Sequence, residues 1–498
     1  MEELFLILAV IVAQMTPLPS PAPTPNIPVY VGHPAERMSV NARPLGFDPD
    51  GNARWLVVTQ FFDAQNKPTR IVANSDFAYL SRDGYVQWQT RLAYGQPSAI
   101  LSTNADGPLT MTVVANQPHL PSVTVRTNTQ SWRAPRLVAT ALGPHLVQIG
   151  WFPRETGEVR IFRAQNGGVQ RLLALVAGPS STFRDTDAKP NRNYRYVVER
   201  SGHEPVRLDV TTPAAPRATP IDNVRGKGMW LYFTSNPLDS IYVKNLDARA
   251  IVDQAVRSGL HYVELRTSYG AYWEIRPEAK PTVDAIIDGL AAHGIKTIAW
   301  AVPRDESFED LQTAVRGAYY RTANGTPVDG LALDVERGDE FMGAAPQGLS
   351  ALWHYVEFIR NAMGPSYLIM PTVEDAYLEH LDNQSYPYAQ IAQYSTALQP
   401  MTYWRMMRRS PTTPQEVDQI LQSSYDTLMR DAGRTIPISI GGQTSGVGRN
   451  GPPPAQEITT SLDASKRIGA LGECFFAWDG TEPYQWDALG SYTWPMAQ

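Results

Sequence analysis

This 498-residue chain contains a single cysteine, Cys474. One thiol can form neither an intramolecular disulfide nor a cysteine-based zinc site, and its setting in the apolar run Cys474-Phe475-Phe476-Ala477 reads as a small core residue. The eight histidines are scattered, with no pair at ligand spacing on one helix face, so neither a metal nor another cofactor is expected. Charge is sparse as well. Asp, Glu, Lys and Arg make up 18% of the residues and the net charge is −6, without a Lys/Arg cluster. That balance excludes the electrostatic footprint of a nucleic-acid partner. The apolar run from Leu4 to Ala13 is too short to cross a bilayer, which takes ~20 residues. Its length suits the core of a secretory signal, although Glu2 and Glu3 stand where positive charge is usual. A proline-rich stretch, Thr16 to Pro28, follows as an extended spacer. The expected location is therefore secreted or at the cell envelope.

What is abundant is apolar and aromatic. A hydrophobic fraction of 43% marks a folded chain, and the length calls for two to three domains. Residues 29–130 read as short strands separated by turns, among them Trp55 to Phe62 and Leu109 to Ala115, with Asp50-Gly51 as a turn signal. Residues 134–212 form a second all-β unit. It includes Leu137 to Ala141, Val147 to Trp151, Val159 to Arg163 and a late strand around Tyr194 to Val198. Both units are expected to be β-sandwiches. Each is most simply a spacer, with adhesion or carbohydrate contact as alternatives, because fold alone cannot choose.

After a linker, Pro213 to Asn223, the rhythm changes to strand, helix, strand, helix across 224–498. Expected strands begin at Gly228, Tyr262, Lys296, Gly330, Tyr367, Leu398, Ile436 and Glu473. Amphipathic helices such as 248–258, 283–293, 349–362, 414–430 and 455–468 lie between them. Several stop at glycine, as at Gly259, Gly294, Gly364 and Gly433. Eight such repeats make an α/β barrel of the (β/α)8 TIM class, so the fold class is two all-β sandwiches followed by a TIM barrel.

Reacting groups of such barrels project from the C-terminal strand ends. Reading those ends gives Arg266, Trp300, Asp334 with Glu336, Glu374, Tyr403 with Trp404, Gln443, and Trp478 with Asp479. There is no Ser or Cys nucleophile with a base, no phosphate-cradling glycine loop and no metal cluster among them. Asp334 and Glu336 share one face of their strand, and two adjacent acids favour retention of one proton. A protonated carboxyl beside an ionised one is what glycosidic cleavage requires.

Three strands also resemble one family. Asp329-Gly330-Leu331-Ala332-Leu333-Asp334-Val335-Glu336 resembles the fourth-strand signature Asp-Gly-x-Asp-x-Asp-x-Glu of glycoside hydrolase family 18, the chitinase-like enzymes. Gln399-Pro400-Met401-Thr402-Tyr403 resembles its sixth-strand Met-x-Tyr segment, and Gly472 to Asp479 its last strand. The first β unit is similar in pattern to bacterial immunoglobulin-like modules. The second is similar to fibronectin type III domains, which implies that Trp151 fills the core and Tyr194 makes a corner hydrogen bond. The family resemblance implies substrate-assisted catalysis. Glu336 would protonate the leaving oxygen, Asp334 would hold the 2-acetamido N–H, and Tyr403 would donate to the acetamido oxygen. Trp478 would stack under the ring. Trp300, Trp404, Met401, Gln443, Arg266, Glu374 and Asp479 complete the expected substrate site.

The chain departs from that family at Ala332, where an aspartate is usual, at Trp404, and in the third strand from Ile298 to Arg304. Glu374 or Asp479 is a candidate for the missing acid. Glu264 and Arg266 share a strand face and most simply pair with each other; Arg405, Arg408 and Arg409 read as a solvated loop. Core packing competes with sugar stacking at Trp300, Trp404 and Trp478. The expected activity is hydrolysis of an N-acetylated polysaccharide, chitin-like or peptidoglycan glycan, by a monomer. The alternatives are a muramidase-like Asp-x-Glu glycosidase and a non-catalytic glycan-binding protein on a degenerate barrel.

Overall fold

The computed structural model describes residues 35–69, 77–81, 85–88, 98–115, 120–128, 136–232, 247–277, 279–304, 307–337, 342, 348–406, 413–446 and 450–495. The signal-like segment and spacer at 1–28, and Arg408 and Arg409, lie outside them. The chain divides into two compact units, Met1–Ala215 and Pro216–Gln498. The division falls inside the proline-rich linker.

The first unit contains two pairs of antiparallel sheets. In the first pair, a sheet built on Arg37–Phe47, Ala53–Phe62 and Ser98–Thr103 lies with one built on Phe77–Ser81, Pro108–Ala115 and Val123–Asn128. Alternation along the strands sends Trp55, Val57, Phe61 and Leu101 of one sheet, and Leu109, Met111 and Val113 of the other, into one hydrophobic cluster. The second pair joins a three-stranded sheet containing Leu146–Glu155 to a four-stranded sheet containing Asn193–Arg200. Trp151 is fully buried in its core, and the Tyr194 hydroxyl accepts a hydrogen bond from the Lys189 backbone N–H at 2.7 Å. Gly51 belongs where it stands. Its φ is +77°, and a Cβ there would lie 2.3 Å from the Trp151 carbonyl oxygen.

The second unit alternates eight barrel strands with eight α-helices among the described residues, and a short ninth strand, Tyr272–Trp273, pairs antiparallel to the end of the second. The strands are β1 (Gly226–Leu231), β2 (Tyr262–Tyr269), β3 (Lys296–Val302), β4 (Leu331–Val335), β5 (Ile369–Val373), β6 (Gln399–Pro400), β7 (Ser439–Gln443) and β8 (Gly472–Phe476). The helices are α1 (Ala248–Arg257), α2 (Lys280–Ala292), α3 (Phe308–Ala318), α4 (Ser350–Met363), α5 (Tyr388–Tyr394), α6 (Pro414–Ala432), α7 (Ala455–Arg467) and α8 (Pro483–Ser491). All neighbouring strands pair in parallel in the order β6-β5-β4-β3-β2-β1-β8-β7. Parallel bridges Leu398–Ile438 and Met401–Gly441 complete the ring between β6 and β7. This is an eight-stranded parallel barrel of the TIM type.

The register places the interior side chains. Strands of a closed barrel tilt, so residues at one height come from alternate strands in groups of four. Following the pairs Trp230–Glu264, Trp300–Ala332, Thr372–Gln399 and Gly441–Cys474 around the ring gives three successive layers. Glu264, Ala332, Gln399 and Cys474 form a middle layer. Trp230, Trp300 and Thr372 lie above it, with the Trp230 ring filling the space over Gly441, where a Cβ would stand 3.1 Å from the indole. Arg266, Asp334, Met401 and Phe476 come next, toward the C-terminal mouth.

At the opposite end one lysine ties the barrel shut. The Lys227 ammonium, on β1, donates to the Ser258 carbonyl at 2.9 Å, to the Tyr492 carbonyl at 2.6 Å and to the Leu489 carbonyl, which close α1 and α8. It has no carboxylate among these partners, and burial lowers its pKa to about 8. Lys227→Met would leave these carbonyls without their donor at a cost of about 3 kcal/mol. Calorimetry should then show a lower melting temperature for the barrel; an unchanged one refutes the tie.

Candidate active site

β4 is buried along its whole length, and alternation turns Ala332 and Asp334 inward with Glu336 one step further out. Asp334 is 6% exposed, and its carboxyl faces Glu336, the Arg266 charge and the Trp300 indole. Burial pushes its pKa up to about 6, against the pull of its interaction with Glu336 and of the Arg266 charge. Glu336 is raised well above the ordinary carboxylate range. Burial is the largest cause, followed by the charge of Asp334 and the hydrogen bond it shares with it, then by the charges of Glu374 and Glu379. Once Asp334 has ionised, the pair thus keeps its remaining proton on Glu336.

The backbone on both sides of Glu336 is fixed. The Tyr386 hydroxyl donates to the Val335 carbonyl. Glu374, at the end of β5, accepts the Arg337 N–H at 2.7 Å and its guanidinium at 2.8 Å. Glu374 is therefore committed to positioning Glu336, and its charge helps keep the proton there. Tyr403 is 8% exposed, and its hydroxyl is raised well above its usual pKa by burial and by the nearby charges of Asp334 and Glu336.

An aromatic wall surrounds these groups. Tyr232 stacks on Phe476 with ring centres 5.9 Å apart, and its edge meets Trp300 at 6.0 Å. Phe476 also contacts Tyr403 at 5.8 Å and Trp230 at 5.9 Å. Met401 packs against the same cluster. The indole N–H groups of Trp230 and Trp300 are buried and turned toward the carboxyls of Glu264 and Asp334.

Several residues expected here are engaged elsewhere. Trp478 packs on Trp486 of α8 at 4.9 Å, and the β8 ring facing the interior is Phe476. The two-residue alternation from buried Cys474 is the signal that identifies Phe476. Trp404 is fully buried and donates its indole N–H to Glu457 of α7. Arg405 is no solvated loop residue: its guanidinium pairs with the same carboxylate at 2.6 Å. The side-chain oxygen of Gln443 accepts the Arg405 backbone N–H at 2.7 Å, so it braces the segment after β6. Arg266 pairs with Glu274 at 2.8 and 2.9 Å, not with Glu264, because β2 turns back through Tyr272–Trp273 and returns Glu274 to the mouth. Tyr232, Tyr269 and Trp300 flank its guanidinium at 5.1 to 5.6 Å. Asp479 is exposed at the rim, near Tyr232.

Tyr232, Phe476, Tyr386 and Glu274 were not distinguished by the residue pattern. Among the described residues no three His, Cys, Asp or Glu side chains gather as a metal site. The arrangement offers a proton donor, a neighbouring carboxylate, a phenol and an apolar face. That set can protonate a leaving oxygen while stabilising positive charge beside it.

A raised carboxyl pKa has a thermodynamic consequence. Asp334 goes from 3.8 unfolded to about 6 folded, so the stability it contributes is full below pH 3.8 and lost as pH rises through 6. Asp334→Asn should therefore melt increasingly above wild type between pH 4 and 6, with the gap level beyond. A gap that does not change with pH contradicts the assignment.

No family model and no curated protein matches this chain. Solved structures do match. The spore cortex-lytic enzyme SleL of Bacillus cereus is 13% identical over 57% of this chain and 77% of its own, with a TM-score of 0.36. A chitinase from Chromobacterium violaceum is 12% identical over 53% and 98%, with a TM-score of 0.38. A β-glucuronidase from Ruminococcus gnavus is 10% identical over 82% and 92%, with a TM-score of 0.34.

Proposed function

We propose that this protein is a glycoside hydrolase acting on N-acetylated glycan, chitin-like or of peptidoglycan type, through the substrate's own acetamido group. One observation carries the reading: at the mouth of the barrel Glu336 holds a proton against Asp334, with its backbone clamped on both sides and an aromatic wall beside it. Glu336 delivers that proton to the glycosidic oxygen as the bond to the anomeric carbon breaks. The 2-acetamido carbonyl oxygen attacks the same carbon and closes a cationic ring. Asp334 accepts the acetamido N–H and opposes the new charge, and Tyr403 donates to the acetamido oxygen. Water then opens the ring, with Glu336 taking its proton. β7 supplies the amide of Gln443, already bonded to backbone, and no carboxylate, which favours a nucleophile that belongs to the substrate.

The two sheet pairs of the first unit fit immunoglobulin-like and fibronectin type III-like sandwiches that act as spacers. With the apolar run at Leu4 to Ala13, they fit a secreted or envelope-associated enzyme.

The test is release of reducing ends from chitin oligosaccharides and from purified peptidoglycan. Glu336→Gln should lower kcat roughly a thousandfold while leaving oligosaccharide binding in place. Tyr403→Phe should lower kcat about a hundredfold with KM little changed. The wild-type rate should rise as Asp334 ionises near pH 6 and fall at higher pH as Glu336 loses its proton. Binding without release in wild type would replace this reading with a glycan-binding protein.

A further inference from the structure

One carboxyl inside the barrel has no role in the steps above. Glu264 of β2 is completely buried in the middle layer, beneath the mouth layer that holds Asp334. Its Oε1 accepts the side-chain amide of Gln399 at 2.6 Å, and Gln399 in turn accepts the Thr372 hydroxyl at 2.7 Å; Thr372 is the register neighbour of Asp334. Its Oε2 is buried, with the Cys474 thiol and the Trp230 indole N–H as the polar groups turned toward the carboxyl. A carboxyl taken wholly out of water and held by one amide, a thiol and an indole is costly in a core, and a glutamine or an apolar side chain would serve packing better. Within the same layer Ala332 of β4 presents only a methyl group, and the layer between Glu264 and Asp334 holds Trp230, Trp300 and Thr372, so no competing acid separates the two.

The groups facing Glu264 are few. Tyr262 lies below it on the same strand, with its hydroxyl on Ser439 of β7, and the Cys474 thiol of β8 lies beside it. Above it are Asp334 of β4, Tyr403 beyond β6, and Arg266, whose guanidinium is paired with Glu274. β1 contributes Trp230, β3 Ile298 and Trp300, and β5 Met370 and Thr372, none of them titratable. The one negative charge set against Glu264 is therefore that of the Asp334–Glu336 pair.

We infer that Glu264 is a positioning residue for catalysis, a third carboxyl whose own charge state sets how firmly the Asp334–Glu336 pair keeps its proton. The inference rests on the glycosidase reading for its consequence in turnover, but not for the electrostatic coupling itself. Burial is the main cause that raises Glu264, to about 7, and the Asp334 charge adds to it. Below that pH Glu264 is neutral and leaves Asp334 free to ionise. Above it, the new buried charge repels loss of the last proton from Glu336 and extends the active range upward.

Two measurements on the full chain decide this. The first follows thermal midpoints against pH for wild type, Glu264→Gln, Asp334→Asn and the double variant. A folded pKa above the unfolded 4.5 means that stability is lost as pH rises through the folded value. Glu264→Gln should thus gain on wild type between pH 4.5 and 7 and then level off. In the Asp334→Asn background the levelling should come about half a pH unit earlier, and levelling at the same pH in both backgrounds overturns the coupling. This arm decides even if no glycan is hydrolysed. The second follows kcat and KM against pH on N-acetylated oligosaccharide. Glu264→Gln should keep the acid limb and KM and move the basic limb about one unit toward acid. An unmoved limb, or a folded variant inactive at every pH, overturns the proposal. Should the glutamine variant not fold, Glu264→Asp must move the same limb by a smaller amount, and no movement there has the same force.

Discussion

Two carboxyl groups projecting from one face of a buried strand resist being charged together. That constraint organises the mouth of this barrel. Asp334 on β4 and Glu336 just beyond its end are two residues apart, and the strand's alternation makes them neighbours. With the larger share of negative charge around Glu336, from Glu374 and Glu379 as well as Asp334, the proton settles there. Arg266 biases the pair the same way by favouring the ionised form of Asp334. The surrounding structure then reads as support for one asymmetric pair. Tyr386 and Glu374 hold the backbone that carries it, and Glu274 holds the arginine that polarises it.

Much of this was legible in the sequence because barrels translate pattern into place directly. The alternation of apolar strands with amphipathic helices locates eight strand ends, and Asp334, Glu336 and Tyr403 converge there as their positions imply. Met401 and Trp300 join the same interior cluster. Helix ends followed local chemistry: Gly364 and Gly433 close α4 and α6 with φ of 81° and 67°.

What could not be read came from turns and from partners distant in sequence. The short return through Tyr272–Trp273 gives Arg266 a carboxylate eight residues away, and nothing in the pattern of β2 favours Glu274 over Glu264. Glu457 takes both Trp404 and Arg405 across about fifty residues, which converts a rim segment into a buried brace. After β8 the chain leaves strand geometry, so parity no longer applies and Trp478 turns to Trp486 while Phe476 keeps the interior position. Aromatic residues at strand ends can face either way, and only the packed neighbours decide.

The pairing of β1 with β8 has a consequence for how the molecule comes into being. Gly226 lies against Gly472, so the first strand lacks one of its two neighbours until nearly 250 further residues have been made. Contacts of such long separation form late and slowly. The sheet pairs of the first unit, all closed by nearer partners, can be complete while the barrel is still an open sheet with two unpaired edges. During synthesis the aromatic wall exists only in part, since Phe476 arrives with that final strand. The mouth of the barrel is therefore complete only at ring closure, and an immature chain exposes the barrel's apolar interior.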